Sequence, residues 1–253
     1  MCGLAGILDV TGKRSIDRDR LEAMNDAIAH RGPDGADYFF EPRIGIAHRR
    51  LAIIDIAGGR QPLFNETGRI ALVCNGEIYN FQELVAILTA KGHRFRTRSD
   101  NEVILHAWEE WGPACVERLR GMFALALWDG ERGELFLARD RFGEKPLYYA
   151  ETGDGLLLFG SELGAVLAGL DDPGPLDPLA IADYFTLGYV PDPRTIYRDI
   201  RKLPPAHTLL VRPDGSRRCA PYWDLRFEPA AAGRHDPAVL ERALIERLRE
   251  AVT

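Results

Sequence analysis

Apolar residues recur along the chain at two spacings, and each spacing predicts a different kind of element. Across residues 17–29, Leu21, Met24 and Ile28 stand three or four positions apart, which places their side chains on one face of a helix. The sequence HRGPDG at 30–35 ends this helix, because Gly and Pro favour a loop. Further helices are predicted over residues 81–92, 101–111, 177–184 and 237–252.

Shorter apolar runs bounded by turn residues predict β-strands. The first run, CGLAGIL, begins at residue 2, and the others cover residues 44–56, 70–74, 122–128, 134–138, 147–150, 156–159 and 207–211. The run at 70–74 leads directly into Asn75-Gly76-Glu77, for which the pattern predicts a polar turn. The chain is therefore rich in strands, with helices inserted between them.

The character of the sequence changes near its end. Residues 228–236 (EPAAAGRHD) are small and contain Pro and Gly without apolar periodicity, which is typical of a linker. We therefore predict a main domain over residues 2–215, a connecting segment and linker over 216–236, and the first helix of a second, truncated domain over 237–253. A terminal helix docked back on the main domain is the alternative. The apolar face of this helix carries Leu240, Leu244, Ile245 and Leu248.

The composition excludes several classes of function. Of the 253 residues, 46% are hydrophobic and 28% are charged, as in soluble globular proteins. Lys and Arg total 32 against 38 acidic residues, a net charge of −6 without long runs, which argues against nucleic acid or an anionic membrane as the main partner. No apolar stretch approaches the roughly 18 residues of a membrane span, and the first residues lack the basic segment of a signal peptide.

The four cysteines are far apart and form no CxxC pair. This spacing argues against a disulfide framework and against a zinc site, and it favours a reduced cytoplasm. Cys74, Cys115 and Cys219 are interpreted as buried core residues.

Cys2 differs from the other cysteines because removal of Met1 would expose it as the first residue. Its thiol and a free α-amine would then lie on one residue, and an α-amine with a pKa of roughly 7.7–8.0 is a usable base near neutral pH. Such a residue can serve as nucleophile and general base together. Taken alone, a cysteine at position 2 is more often without a catalytic role.

Other residues carry the groups that attack on a carboxamide requires. The oxyanion of the tetrahedral intermediate needs preorganised donors, which the Asn75 amide and the Gly76 backbone N–H can supply. Arg50 can hold the α-carboxylate of a free amino acid through two hydrogen bonds, and Asp100 or Glu77 can hold its ammonium group. Each charged residue, taken alone, is more often a solvated surface charge.

Nine motifs, in order along the chain, resemble a known family. They are CGLAGI at the start, HRGPDG at 30–35, HRRLAIID at 48–55, NGEIYNF at 75–81, RSDNEVI at 98–104, GMFALALWD at 121–129, ARDRFGEKPLYY at 138–149, FGSEL at 159–163 and YRDIRKLPPAH at 197–207. Together they resemble the glutaminase domain, a class II glutamine amidotransferase domain, of the glutamine-hydrolysing asparagine synthetase family. The resemblance implies an α+β fold, a four-layer αββα sandwich of the N-terminal-nucleophile hydrolase type.

The resemblance also implies roles for individual residues. Cys2 matches the family nucleophile, and Asn75 with Gly76 matches the oxyanion hole. Arg31 and Asp34 match a loop over the site, where we expect a structural role. The implied glutamine-binding residues are Arg50, Leu51, Ile53, Glu77 and Asp100.

The implied reaction is hydrolysis of L-glutamine to glutamate and ammonia through a thioester on Cys2. The ammonia would serve asparagine synthesis in a synthetase domain, whose SGGxDS motif for ATP does not occur in these residues. ATP and Mg²⁺ are therefore expected only in that domain, and no cofactor or metal is expected in this chain. The expected partners are glutamine and the synthetase domain, in the cytoplasm, and the sequence leaves a homodimer open.

Three alternatives stay open at this point. HAWEEWG at 106–112 and DYFTLGYVPDPRTIYR at 183–198 also resemble the exosortase-associated amidotransferase branch, in which an exopolysaccharide precursor would accept the ammonia. An N-terminal-nucleophile hydrolase for a different amide is a second alternative. A regulatory domain without catalysis is the third, and retention of Met1 would favour it.

Overall fold

Twelve strands and six α-helices make up the fold in the part of the chain that the computed structural model describes, residues 1–52, 55, 58–227 and 236–252. The strands are β1 (Gly3–Asp9), β2 (Gly35–Glu41), β3 (Ile44–Arg50), β4 (Leu63–Phe64), β5 (Ile70–Ile78), β6 (Gly121–Asp129), β7 (Glu134–Arg139), β8 (Tyr148–Glu151), β9 (Leu156–Gly160), β10 (Ile200–Lys202), β11 (His207–Val211) and β12 (Arg217–Pro221). The helices are α1 (Arg18–Asp26), α2 (Phe81–Ala90), α3 (Glu102–Trp111), α4 (Leu163–Ala168), α5 (Pro178–Leu187) and α6 (Pro237–Val252). Short 3₁₀ helices cover Ala29–Arg31 and Gly112–Glu117.

The strands form two antiparallel six-stranded sheets. The first has the order β10-β8-β9-β1-β3-β2 and the second the order β12-β11-β7-β6-β5-β4. In the first sheet, β1 pairs with β3 in a register that sets Gly3 opposite Arg49. This register brings Cys2, just before β1, to the end of β3 where Arg50 lies.

Three apolar cores separate four layers. Between the sheets, Leu4 and Ile46 pack with Val73 and Ala126. On the outer face of the first sheet lie residues of α1 and α4, including Leu21, Met24 and Val166. On the outer face of the second lie residues of α2 and α3, including Leu84 and Val103. Each fully buried side chain of this size contributes about 1.5–3 kcal/mol. The predicted αββα sandwich is therefore the observed fold.

Most of the predicted helices and strands occur close to their expected positions. The runs at 147–150 and 156–159 form the antiparallel pair β8–β9. Asp177 caps α5, since its side chain accepts a hydrogen bond from Leu179 N at 3.0 Å. The strands β2, β4, β10 and β12 and the helix α4 were not predicted. None of the helices in the described residues combines the length and apolar character needed to cross a membrane.

The turn predicted at Asn75-Gly76-Glu77 is wrong. Strand β5 continues through these residues to Ile78, and Gly76 lies opposite Phe123 of β6. A Cβ at Gly76 would lie 2.1 Å from Met122 O, so glycine is required for the close approach of the two strands. Pairing along a neighbouring strand outweighs the local turn preference of Asn-Gly, because strand preference depends on tertiary context.

The second sheet extends past residue 215. Strand β12 pairs with β11, with Cys219 opposite Leu209, so an edge strand lies within the segment predicted to connect two domains. Cys219 is exposed there, and its predicted burial is wrong, whereas Cys74 and Cys115 are buried as predicted. Residues 53, 54 and 56 of the predicted strand 44–56, residue 57 after it, and residues 228–235 of the predicted linker lie outside the described residues.

Helix α6 differs from the other helices because none of its residues is buried. On its apolar face, Leu240, Leu244, Ile245 and Leu248 remain 40–60% exposed, so within the described chain this face has no packing partner. The domain boundaries at 215 and 236 stay predictions.

Candidate active site

One pocket, at the ends of β1, β3 and β5, brings together seven of the eight predicted site residues. The eighth, Ile53, lies outside the described residues. The seven are Cys2, Arg50, Leu51, Asn75, Gly76, Glu77 and Asp100. Because β3 and β5 belong to different sheets, the pocket exists only once the two sheets have packed.

The Cys2 thiol lies against the backbone of Leu51. Leu51 N donates to Cys2 Sγ at 3.3 Å, and the thiol can donate to Leu51 O at 3.5 Å. A backbone N–H that faces the sulfur stabilises negative charge on it, and the thiolate is the reactive form of cysteine. The register of β1 and β3 thus positions the thiol and supplies one of its donors.

Arg31 and Asn75 hold the carbonyl group of Cys2. Arg31 Nε donates to Cys2 O at 2.9 Å. In the orientation of the Asn75 amide that satisfies both neighbours, Nδ2 donates to Cys2 O at 3.1 Å and Oδ1 accepts from Arg31 Nη2 at 3.2 Å. Glu162 pairs with Arg31 Nη1 at 2.7 Å. The loop residue Arg31 therefore positions both the candidate nucleophile and the candidate oxyanion donor.

The remainder of the HRGPDG loop lies against β3. Asp34 N donates to Arg50 O at 3.0 Å, and the Asp34 carboxylate accepts from Ala52 N at 2.8 Å. A Cβ at Gly32 would lie 2.4 Å from the Arg49 carbonyl carbon, so glycine permits this close approach. The contacts of Asp34 are to backbone near the pocket, consistent with the structural role expected for this loop.

Arg50 lies at the end of β3 and is largely buried. Its Nη2 donates to Asp55 O at 2.7 Å, which anchors the guanidinium to the following loop. The Asp55 carboxylate accepts from Arg98 N at 2.9 Å and from Gly58 N at 3.0 Å, and these backbone hydrogen bonds lower its pKa. The loop after β3 is thereby tied to the segment that leads to Asp100.

Asp100 supplies a buried carboxylate to the pocket. Its Oδ2 accepts from Ile78 N at 2.7 Å, at the end of β5, and its Oδ1 from Asn101 Nδ2 at 3.3 Å. Burial raises the pKa of Asp100, the backbone hydrogen bonds oppose this effect, and the Glu77 carboxylate adds to it. Two carboxylates in one pocket create a negative potential suited to an ammonium group.

Several polar residues of the pocket were not predicted as site residues, among them His48, Gln61 and Lys145. His48 Nε2 lies 3.2 Å from Cys74 O, and Gln61 makes two hydrogen bonds to the backbone of Cys74, at 2.6 and 3.1 Å. They hold β5 just before Asn75, and burial lowers the pKa of His48 to about 4, so this imidazole is neutral at pH 7. Lys145 also lines the pocket, with Nζ 3.4 Å from Met1 Sδ. His48 and Lys145 lie within the motifs HRRLAIID and ARDRFGEKPLYY, so the family resemblance could have identified both as site residues.

Comparisons with known proteins agree with this geometry. A family model described as a glutamine amidotransferase domain matches residues 1–223. The chain is 37% identical over 249 residues to glutamine-hydrolyzing asparagine synthetase 3 of Bacillus subtilis, covering 97% of this chain and 40% of that protein. It is 35% identical over 254 residues to asparagine synthetase 1 of the same organism, covering 100% and 39%. The chain thus spans about two fifths of the length of these curated relatives.

The fold is found in a solved structure as well. Glutamine phosphoribosylpyrophosphate amidotransferase from B. subtilis matches with a TM-score of 0.61 at 19% identity, over 88% of this chain and 49% of that one. At this identity the match concerns the fold alone. The family model and the B. subtilis relatives decide the family: the chain belongs to the glutamine amidotransferase domain family and is homologous to the glutaminase half of the glutamine-hydrolysing asparagine synthetases.

Proposed function

We propose that this domain hydrolyses L-glutamine to glutamate and ammonia through a γ-glutamyl thioester on Cys2. The observation that carries the proposal is the convergence in one pocket of Cys2, the Asn75 amide, the Arg50 guanidinium and the Asp100 carboxylate. A nucleophile, an oxyanion donor and two groups for an amino acid's charges are the requirements of this reaction.

In the first step, Cys2 Sγ attacks the carboxamide carbon of glutamine. The oxyanion that forms is stabilised by Asn75 Nδ2 and the backbone N–H of Gly76. The C–N bond then breaks, and the amide nitrogen takes a proton and leaves as ammonia. Water next attacks the thioester carbon, the C–S bond breaks, and glutamate leaves with Cys2 restored.

The free α-amine of Cys2 acts as the base in this mechanism, so Met1 must first be removed. With Met1 attached, the nitrogen of Cys2 belongs to a peptide bond and cannot accept a proton. The Met1 side chain also lines the pocket, where it would compete with glutamine for space. Processing therefore both creates the base and opens the site.

Glutamine binds through its two charged ends. Arg50 contacts the α-carboxylate, while Asp100 and Glu77 contact the α-ammonium. The backbone of Leu51 contacts the bound substrate, and the family resemblance implies the same role for Ile53, which lies outside the described residues. These interactions persist from the ground state to the transition state, so they serve affinity more than turnover.

The ammonia is used by a synthetase domain elsewhere in a longer protein, where an ATP-activated carboxylate accepts it and asparagine forms. Support comes from the relatives that span the whole chain, which are named as asparagine synthetases. ATP and Mg²⁺ belong to that domain in this proposal. All four cysteines are free, in keeping with action in a reducing compartment such as the cytoplasm.

The test is the Cys2→Ala variant of the processed chain, assayed for glutamate and ammonia without ATP. We expect turnover to fall to the background rate, because the thiol is the nucleophile, while circular dichroism and Tm stay close to those of the parent. The parent protein, mixed with glutamine and quenched in acid, should show the mass of a glutamyl adduct on the Cys2 peptide. Substantial turnover by folded Cys2→Ala would contradict the proposal.

A further inference from the structure

Away from the glutamine pocket, two histidines and two glutamates converge from three segments of the chain. Glu66 lies between β4 and β5, His93 follows α2, and His106 and Glu109 lie one turn apart on α3. One ligand-capable atom of each of Glu66, His93 and His106 lies within 4.8 Å of the others. We call these four residues the His–Glu cluster.

Four atoms of the His–Glu cluster face one another. Glu109 Oε2 lies 3.4 Å from His93 Nδ1 and 3.1 Å from His106 Nδ1, and Glu66 Oε2 lies 3.7 Å from His106 Nδ1. Zn²⁺ binds imidazole nitrogen and carboxylate oxygen at about 2.0–2.2 Å, so the ligand atoms of a tetrahedral ion lie about 3.3–3.6 Å apart. The observed spacings are close to those values.

The opposite nitrogen of each histidine faces a further carboxylate. His106 Nε2 lies 3.7 Å from Glu102 Oε1, and His93 Nε2 lies 3.6 Å from Glu110 Oε2. Histidines that bind metals generally donate their second ring N–H to a carboxylate or carbonyl, which sets the tautomer and the ring orientation. Both imidazoles therefore direct Nδ1 inward and have an acceptor behind them.

The second oxygen of each glutamate is held in the same way. Glu66 Oε1 accepts from Arg94 N at 2.9 Å, and Glu109 Oε1 accepts from Asn65 Nδ2 at 2.7 Å. Each glutamate thus has its outer oxygen held by a hydrogen bond, each histidine has a carboxylate near its outer nitrogen, and the inner atoms of all four side chains are directed at one point. Such support is what distinguishes a built metal site from a chance group of polar side chains.

Burial of His106 holds its Nδ1 at the centre of the cluster. The residue is 1% exposed, and its Nδ1 lies 3.1 Å from Glu109 Oε2 and 3.7 Å from Glu66 Oε2. We propose that Glu66, His93, His106 and Glu109 bind one Zn²⁺ ion. Two carboxylates balance the charge of the ion, and two imidazoles with two carboxylates suit zinc among the common divalent metals. The wide spacing of cysteines did not reveal this site, because none of its ligands is a cysteine.

The ion would be structural, since four protein ligands leave no open position for chemistry. The ion would join the loops that carry Glu66 and His93 to α3, and α3 begins directly after the segment that carries Asp100. Glu102, behind His106, accepts hydrogen bonds from Arg96 N and Thr97 N, each at 2.7 Å. Zinc therefore stabilises residues 96–102, one wall of the glutamine pocket.

The measurements use the Cys2→Ala chain, because a free N-terminal cysteine would itself chelate Zn²⁺ with its thiol and amine. Protein treated with a chelator and desalted is titrated with Zn²⁺ by calorimetry and by thermal unfolding. We expect one ion per chain and a higher Tm, since a ligand that binds the folded state stabilises it. Co²⁺ in place of Zn²⁺ should give the visible absorption bands of a tetrahedral site.

Single substitutions in this background assign the ligands. His93→Ala and Glu66→Gln should weaken Zn²⁺ binding by more than about 100-fold, and Glu110→Gln by about 10-fold, as for a residue that orients a ligand. His30→Ala is the matched control, because His30 also faces a glutamate, Glu162 at 3.1 Å, but lies outside the cluster. It should bind zinc as the parent does.

A proton is the competing occupant of the cluster. Burial lowers the pKa of His106, but the carboxylates of Glu102 and Glu109 outweigh this effect and raise it to about 9. If the cluster holds only a proton, folded Cys2→Ala protein will bind no stoichiometric Zn²⁺, which would overturn the proposal. Unchanged affinity in both His93→Ala and Glu66→Gln would overturn it equally.

Discussion

The proposed glutamine pocket and the His–Glu cluster are joined by residues 96–102, yet their polar groups are arranged in opposite ways. In the pocket, the charged groups are anchored to backbone: Asp100 to Ile78 N and Arg50 to Asp55 O. In the cluster, the side chains face one another, as His106 and Glu109 do. Groups anchored to backbone can be presented to a substrate, whereas imidazoles and carboxylates that converge can share a proton or bind a cation between them.

This difference predicts how substitutions should act. A pocket residue that loses its functional group should change binding or turnover while the fold persists. A residue in or behind the cluster should change stability first, because its partners are then left buried without compensation. The pocket and the cluster can therefore be separated by measuring kinetics and unfolding on the same variants.

The largest effect after loss of the nucleophile is expected for Asn75→Ala. This variant removes one oxyanion donor, so kcat should fall by roughly 10²–10³ while the KM for glutamine changes little. Steady-state kinetics of glutamate formation measures both constants. Because Asn75 also contacts Cys2 O, Asn75→Asp provides a control of similar size that keeps an oxygen but loses the amide donor. A loss confined to KM would assign Asn75 to substrate binding instead.

A smaller effect, of another kind, is expected for Asp100→Asn. The carboxylate meets an ammonium group in both ground and transition states, so KM should rise by about 10–100-fold with a lesser change in kcat. In the parent, protonation of Asp100 abolishes the same interaction. The pKa of Asp100 is raised. As the pH is lowered, KM should therefore begin to rise at a higher pH than it would with an aspartate of ordinary pKa.

The neighbouring carboxylate provides the control for this pH dependence. Glu77 contributes to the raised pKa of Asp100, so Glu77→Gln should move the rise in KM to lower pH. The profile of Asp100→Asn should lack this rise. If the profiles of the parent and Asp100→Asn coincide, Asp100 is not the group that binds the ammonium.

The smallest effect on hydrolysis, and the largest on stability, is expected for Glu102→Gln. Glu102 is buried and accepts hydrogen bonds from Arg96 N, Thr97 N and Thr97 Oγ1, and it faces His106. Loss of its charge should lower the free energy of unfolding by about 2–3 kcal/mol, as measured in urea. kcat should change by less than about 3-fold, whereas a loss comparable to that of Asn75→Ala would mean that the cluster takes part in the chemistry.

The sequence was sufficient for most elements and for identifying seven residues that line the candidate pocket. Apolar spacing located α1 and the pair β8–β9, because these patterns reflect which face of an element is buried. The motifs located Cys2, Asn75 and Asp100 by resemblance to a family. Helix α6 shows the limit of such patterns, since its apolar face is clear in the sequence but unburied in the described chain.

The sequence by itself thus determined the kinds of elements, the family and the candidate nucleophile, all of which depend on residues close together or on a motif. Only the tertiary structure decided that β5 runs through Gly76 and that Arg31 holds Cys2 O. It also brought His93 and His106 together from separate segments. The physical reason is that strand pairing and side-chain convergence join residues distant along the chain, and neither periodicity nor cysteine spacing records which distant residues will meet.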